Sequence, residues 1–483
     1  MKKQILYTLL LTTSLSMIAG CEKPTDKITL NIGFWPENTE TRDVAMYNEW
    51  KEAFEKDYPQ YEVVADPYMY DTSTIGTKYL TNTLPTVFQT WFTEPFKLVD
   101  KKYIRSIDDQ LKELKWDEKM DADMKAALTF DNKIYGIPRD GYGLGLLINI
   151  KTLGDNGLLP EINGEYSIYN EDGSPAYPTT FEEIYEMAMT ISEYDETKGI
   201  LICSANKNGG WQFSNIAWNY GAVLQKVENG KVISTLDCDE AVQALTFIQE
   251  MKLNELLLNS ISVVYDEWYN AIGSKVAMAI VGSDVLHLAQ TNGDVDMDDL
   301  AFVPMPTGNG KDHYSLYGGT PYVFSSKASD EQVEGVLKFF EYIGRGPNIT
   351  DISKAAMEKG NKVAQEKNQP IIPKIKPWIN TEYVEYATQL EDEYVSIKME
   401  NYKDFFDSID ENKHNEVQYA AQEMYEFLDD VIQQVLDKPE TANPKALLTT
   451  ANSKMQDYLD KNINKWLWMV KVLVKRKYLK FKN

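Results

Sequence analysis

Residues able to do acid–base chemistry are abundant in this chain but show no catalytic pattern. Of 483 residues, 74 are Asp or Glu. Some pair of carboxylates therefore falls at almost any separation, and two-carboxylate glycoside chemistry cannot be inferred from their number. The sequence contains no H-E-x-x-H, no G-x-S-x-G and no Walker A pattern. "GYGLG" at 141–145 has the glycines of a nucleotide loop, but "LGLLINI" runs on where a helix is needed, so the stretch reads as the start of a strand. Beyond Cys21 the cysteines are Cys203 and Cys238, and three scattered histidines complete no zinc set. The two thiols could pair in an oxidising compartment; two separate thiols is the preferred reading. No nucleophile–base pair emerges, and the chain reads as a non-enzyme without metal or cofactor.

Tryptophan at the ends of strands carries a different chemistry. Trp35 closes "ITLNIGFW", where Ile28, Leu30, Ile32 and Phe34 alternate with small or polar residues. Trp91 follows "TVFQT", and Trp211 sits in "NGGWQFSNIAWNYG". A large apolar ring placed where a chain turns through water needs a partner. That partner is either the packing of the lobe or a ligand. Trp50 and Trp218 read as core.

The elements that must position these rings follow a βαβ rhythm. "TRDVAMYNEWKEAFEKDYP" sets Val44, Tyr47, Phe54 and Tyr58 near one helical face, and "YEVVADPY" is a second strand. Strand, helix, strand within about 40 residues implies a parallel sheet. Further along, "TTFEEIYEMAMTISEY" is an amphipathic helix capped by Thr179 or Thr180. "SKVAMAIVGSD" is a buried strand ending at Asp284, and "SDEQVEGVLKFFEYIG" is a helix opened by Ser329. From about 380 to 464 the pattern is mostly helical. The length calls for two lobes, and the absence of a low-complexity linker calls for short crossings between them.

Formal net charge is −25, which excludes a nucleic-acid partner, since phosphates need a basic surface. The first 20 residues read as an export signal: "MKK", an apolar run too short for a confident span, then small residues. Residues 465–483 hold seven basic and no acidic residues. They read either as a strip for anionic lipid or as a disordered extension of the chain.

Several separated stretches carry a family resemblance. "Ile18-Ala19-Gly20-Cys21" resembles the lipobox of bacterial lipoproteins, in which the chain is cut before a cysteine that takes the lipid; the alternative is an ordinary signal with a chance cysteine. "LPTVFQTW" (with Thr86 where an Asp is usual), "YIRSIDD", "DNKIYGIPRDGYGLGLLIN", "YPTTFEEIYEMA" and "IGSKVAMAIVGSD" follow in order. Together they resemble the extracellular solute-binding proteins of ABC importers, in particular the sugar-binding family that includes maltose-binding protein.

The resemblance implies an α/β, periplasmic-binding-protein-like fold: two α/β lobes, a hinge and a ligand cleft between them. It implies a signal over 1–20, a lipid-anchored linker over 21–27, an N-terminal lobe from 28–139 and 322–350, a C-terminal lobe from 140–321 and 351–464, and the tail from 465. Crossings are expected near Arg139–Gly141, Tyr317–Tyr322 and 345–352, with Gly141, Gly143, Gly318 and Gly319 at the hinge. The implied ligand residues are Trp35, Glu37, Trp91, Glu94, Arg139, Asp140, Tyr142, Trp211, Asp284, Tyr317 and Gly319. Aromatic rings meet the C–H face of a sugar, while acids, amides and arginine meet its hydroxyls. Asp284 stands where the family often has a tryptophan, so the sugar itself does not carry over.

The implied function is a monomeric, membrane-anchored, extracytoplasmic protein that captures a carbohydrate, an oligosaccharide, for ABC permease subunits. Its partners are that ligand, the permease and, through Cys21, the bilayer. Capture of another solute, such as a peptide or polyamine, and an extracellular glycosidase remain the alternatives. If the thiol of Cys21 carries the lipid, Cys21→Ser should stay unprocessed or lose all metabolic lipid label. Undiminished labelling of that variant refutes the anchor.

Overall fold

The computed structural model describes residues 27–194 and 196–465. The export signal, the lipobox with Cys21 and nearly all of the basic tail lie outside the described residues.

The chain opens with the expected βαβ unit. β1 (Ile28–Ile32) leads through α1 (Thr41–Asp57) into β2 (Tyr61–Ala65), which pairs parallel with β1. Leu30 and Ile32 point into a core that also receives Phe54 of α1. β3 (Val87–Gln89) joins the other side of β1, also parallel.

β4 (Gly136–Asn149) is the longest strand, and it absorbs the "GYGLG" stretch. Its alternation is informative. Leu144, Leu146 and Ile148 enter one core, while Leu147 enters another on the opposite face of the sheet. α2 (Phe181–Tyr194) follows, opened by Thr180, whose hydroxyl accepts the Glu183 N–H while Glu183 accepts the N–H of Thr180. β5 (Lys198–Leu201), α3 (Asn208–Asn219) and α4 (Asp239–Leu253) lead to β6 (Val276–Gly282), buried throughout. β6 pairs antiparallel with β4 and parallel with β5, and β7 (Leu300–Val303) pairs antiparallel with β4.

β8 (Ser315–Phe324) then runs back along β4. Its first half, with Leu316, belongs to the core around Leu144; its second half, with Tyr322 and Phe324, belongs to the core around Leu30. The two lobes therefore share one continuous sheet, and β4 and β8 are the antiparallel pair that runs through both. Gly318 faces Tyr142 and Gly319 faces Gly141 across this pair, and the register slips between Gly319 and Pro321. A methyl on Gly318 would enter the Tyr142 ring; one on Gly319 would meet Phe92 and the Asp140 carbonyl. These glycines serve close approach: none has a positive φ.

Helices complete both lobes. α5 (Asp330–Tyr342) is opened by Ser329 and Gln332 in a reciprocal cap. α6 (Asp351–Glu366) and α7 (Thr381–Tyr394) follow. The expectation grouped 351–464 with the second lobe. Val363, Trp378, Tyr383 and Ala387 instead pack in the first-lobe core, and Lys367 pairs with Asp43 of α1 at 2.7 Å. The chain meets the core around Phe302 twice, first through Ile372 and Ile375 and again through Val395 and Ile397. α8 (Lys403–Asn412) and β9 (Lys413–Asn415), parallel to the start of β8, precede α9 (Ala421–Asp437) and α10 (Pro444–Leu459). Cys203 and Cys238 are separate thiols, Cys203 fully buried and Cys238 at the start of α4.

α3 is seated unusually closely on α9. Asp429 of α9 accepts the Lys207 N–H at 2.5 Å and the Gly210 N–H at 2.8 Å, which satisfies donors at the start of α3. A Cβ on Gly210 would fall on the Tyr425 backbone. Replacement of Gly210 by Ala should therefore force the two helices apart and destabilise the protein by about 1–3 kcal/mol. A melting temperature unchanged from wild type would show that the helices yield freely.

Candidate ligand-binding cleft

Where β4, α3 and the loop after β6 meet, three aromatic side chains stand edge to face. Tyr142 on β4 lies 6.2 Å from Trp211 on α3, and Trp211 lies 5.1 Å from Tyr265, with interplanar angles of 69° and 88°. Local structure fixes each ring. Tyr142 packs over Gly318. Gln212, next to Trp211, accepts the Cys203 N–H and donates to the Ile280 carbonyl, both at 2.8 Å, which ties α3 to β6. Tyr265 accepts the Gly282 N–H at 2.8 Å, and its own N–H donates to Asn208 at 3.0 Å.

Charged groups surround this wall. Arg139 and Asp140 pair at 2.7 Å. Asp284 is exposed on the loop after β6. Loss of hydration, then Asp140, pushes its carboxyl up to about 7, against the pull of Arg139. Desolvation first, then Glu416 and Asp284, holds the Tyr142 phenol well above its ordinary value. Glu416 is itself pushed up to about 7 by burial, opposed by a hydrogen bond from Tyr425. Arg345 and Lys374 complete the ring of charge. Desolvation and then Arg345 lower the Lys374 ammonium.

Glu94 forms a second station. It is 2% exposed, accepts the Tyr70 hydroxyl, and has its carboxyl raised by burial against the pull of Lys97. Trp91 lies edge-on to Tyr70 at 5.2 Å and remains 43% exposed. The lobes touch here: Lys97 pairs with Glu423 at 3.0 Å, and Thr93 accepts from Gln422 at 3.2 Å.

The expected site residues thus separate. Arg139, Asp140, Tyr142, Trp211 and Asp284 are brought together. Trp91 and Glu94 lie at the second station. Glu37 is an exposed loop acid near the end of β1. Trp35 is 5% exposed, edge-on to Tyr47 inside the first-lobe core. It is a packing residue rather than an open platform, because Tyr47 on α1 covers it. Tyr317 is 3% exposed, and its buried hydroxyl has no hydrogen-bond partner among the described residues. Gly319 supplies clearance for Phe92. Sequence reasoning missed Tyr265, Arg345, Lys374 and Glu416. "PIIPKIKPW" offered a signal for Lys374, a lysine in a proline-rich run between two helices. The other three sit in stretches without local pattern.

A family profile described as bacterial extracellular solute-binding protein matches residues 49–358. The chain belongs to this family. Its members act outside the cytoplasm, and the two-lobed frame is the periplasmic-binding-protein fold. Among similar solved structures is an ABC transporter solute-binding protein from Thermotoga lettingae bound with α-D-tagatose, 18% identical, with 90% of this chain and 100% of that chain covered and a TM-score of 0.65. The GacH receptor of Streptomyces glaucescens, solved unliganded and with acarbose, is 17% identical over 90% and 99% at 0.66. UgpB from Mycobacterium tuberculosis, solved with glycerophosphocholine, is 14% identical over 91% and 100% at 0.63. At these identities the likeness concerns the fold. No curated protein sequence matches the chain. Among the described residues no helix is long and apolar enough to cross a membrane.

The raised carboxyl of Asp284 has a consequence for stability. The folded protein keeps a proton that the unfolded chain releases from about pH 4 upward. Its contribution therefore falls as pH rises toward about 7. Asp140, Arg139 and Lys374 face this carboxyl. Asp284→Asn should lose less melting temperature than wild type between pH 5 and pH 8. Parallel pH profiles of the two proteins would show that the carboxyl titrates normally.

Proposed function

We propose that this family member captures a carbohydrate, an oligosaccharide, in the cleft between its lobes and delivers it to an ABC permease. The observation that carries the reading is the Tyr142–Trp211–Tyr265 wall beside Asp284 and the Arg139–Asp140 pair. The rings offer apolar edges and faces to sugar C–H groups, and the charged groups offer strong hydrogen bonds to hydroxyls. Sugars bound to the Thermotoga and Streptomyces proteins support the same ligand class.

Trp91 and Glu94 extend the same site on the first lobe. Residues on both walls make ligand a bridge, so binding draws the population toward a closed form. The hinge is β4 and β8 near Gly141 and Gly318, and the first lobe takes in the helices around Val363 and Tyr383 in addition to 28–139 and 322–350. The protein works as a monomer held to the membrane by lipid on Cys21.

Calorimetric titration with linear and cyclic maltooligosaccharides, tagatose, peptides and polyamines tests the ligand class. Trp211→Ala should weaken sugar binding at least tenfold, because truncating an aromatic anchor costs on the order of 2 kcal/mol, while the ligand-free protein keeps its fold. Early melting with unchanged affinity would make Trp211 a packing residue. Release of shortened glycan products would identify a glycosidase instead.

A further inference from the structure

The chain is strongly acidic, yet it leaves two cations unneutralised in its cleft. Acids are plentiful enough to pair with most well-placed basic side chains, and many do so. Lys376, for example, bonds Glu391 at 2.6 Å. Lys374, two residues earlier, uses Glu391 only through its backbone N–H, at 3.1 Å. Its ammonium has no carboxylate within ion-pair distance among the described residues, and neither has the Arg345 guanidinium.

Both cations are held in place by their backbones. The Arg345 N–H donates to the Phe340 carbonyl at 2.7 Å, and the Arg345 carbonyl accepts from the Trp378 indole at 3.2 Å. The guanidinium lies beside the phenols of Tyr47 and Tyr322 and within the field of Asp140. Asp140, however, is already engaged by Arg139. Lys374 is exposed and acts electrostatically on Asp284. Its neighbours Ile372 and Ile375 pack with the core around Phe302, and Ile375 bridges Gly141 of β4, which sets Lys374 at the join of the lobes.

We propose that Arg345 and Lys374 form an anion subsite of the ligand cleft, so that the captured carbohydrate carries a carboxylate, sulfate or phosphate group. The inference rests on the carbohydrate reading for its glycan part and on the unpaired cations for its anionic part. A guanidinium matches an oxyanion with two parallel N–H donors, and an ammonium adds a point charge with rotatable donors. An incoming anion would meet both charges, since neither cation has a carboxylate within ion-pair distance among the described residues. Desolvation first, then Arg345, lowers the proton affinity of Lys374, with Asp140 and Glu391 opposing. Asp284 limits the subsite to one anionic group, because a second would face a carboxyl.

The test compares matched glycans by calorimetry. Oligogalacturonides are titrated against their methyl esters, and sulfated and phosphorylated oligosaccharides against the neutral parents. These arms separate the three oxyanions. At least one acidic glycan should bind roughly tenfold or more tightly than its neutral partner, as loss of a charge-assisted contact implies. Added salt should erode that preference, and Lys374→Gln should remove most of it. Lys374 is exposed, so this variant should fold even if Arg345→Gln, set among core phenols, does not. Binding of neutral glycans alone overturns the subsite and leaves the carbohydrate reading standing. An acidic-glycan preference untouched by Lys374→Gln refutes this inference. Conversely, glycerophosphodiester binding that depends on Lys374, with no glycan bound, keeps the cation subsite and removes the sugar.

Discussion

Everything in this molecule hangs from the antiparallel pairing of β4 with β8. The two strands enter both lobes, so each lobe's core takes side chains from both of them: Ile137 and Tyr322 on one side, Leu144 and Leu316 on the other. Between those anchors the pair narrows to glycines. Gly141, Gly143, Gly318 and Gly319 all sit where a methyl would strike a neighbouring side chain or carbonyl. The slip of register after Gly319 concentrates local twist at the same place.

The same pairing sets the chemistry of the cleft. Tyr142 and Arg139 are residues of β4 itself, so the pair that joins the lobes also places these side chains. Further groups arrive on α3 and after β6, and cations arrive from the end of α5 and the run before α7. Because protein closes around this space from both sides, charges there are poorly screened. That is why Asp284 and Glu416 hold protons well above the ordinary carboxyl range while a solvent path remains open at Asp284. A polar ligand entering such a space meets groups that have already lost much of their hydration.

Local pattern carried the sheet and failed at the joins. Period-two alternation located β1, a continuous apolar run located β6, and caps located Thr180 and Ser329, because each depends on neighbours in the chain. Trp211 was singled out by the family resemblance and not by local pattern; Gly209 and Gly210 before it let α3 lie close to α9. Trp35 misled because its partner, Tyr47, covers it from the next helix, a contact no strand pattern reveals. The packing of the helices after 351 was hidden for a related reason. Nothing in those helices announces that Lys367 will find Asp43, more than 300 positions earlier. Arg345 and Lys374 were invisible as a pair, since their meaning comes from which acids they do not meet.

The interleaving of the lobes along the chain bears on how the protein can be made. The first core is not complete until Trp378 and Ala387 arrive, and the second not until Leu448 and Leu459. Neither lobe is a contiguous stretch that could finish while the rest is still being synthesised. Contacts this distant in sequence slow folding. A chain whose cores both wait for its last 100 or so residues stays unfolded long enough to be threaded through a membrane. Late assembly, which would expose a cytoplasmic protein to aggregation, suits one that works on the far side.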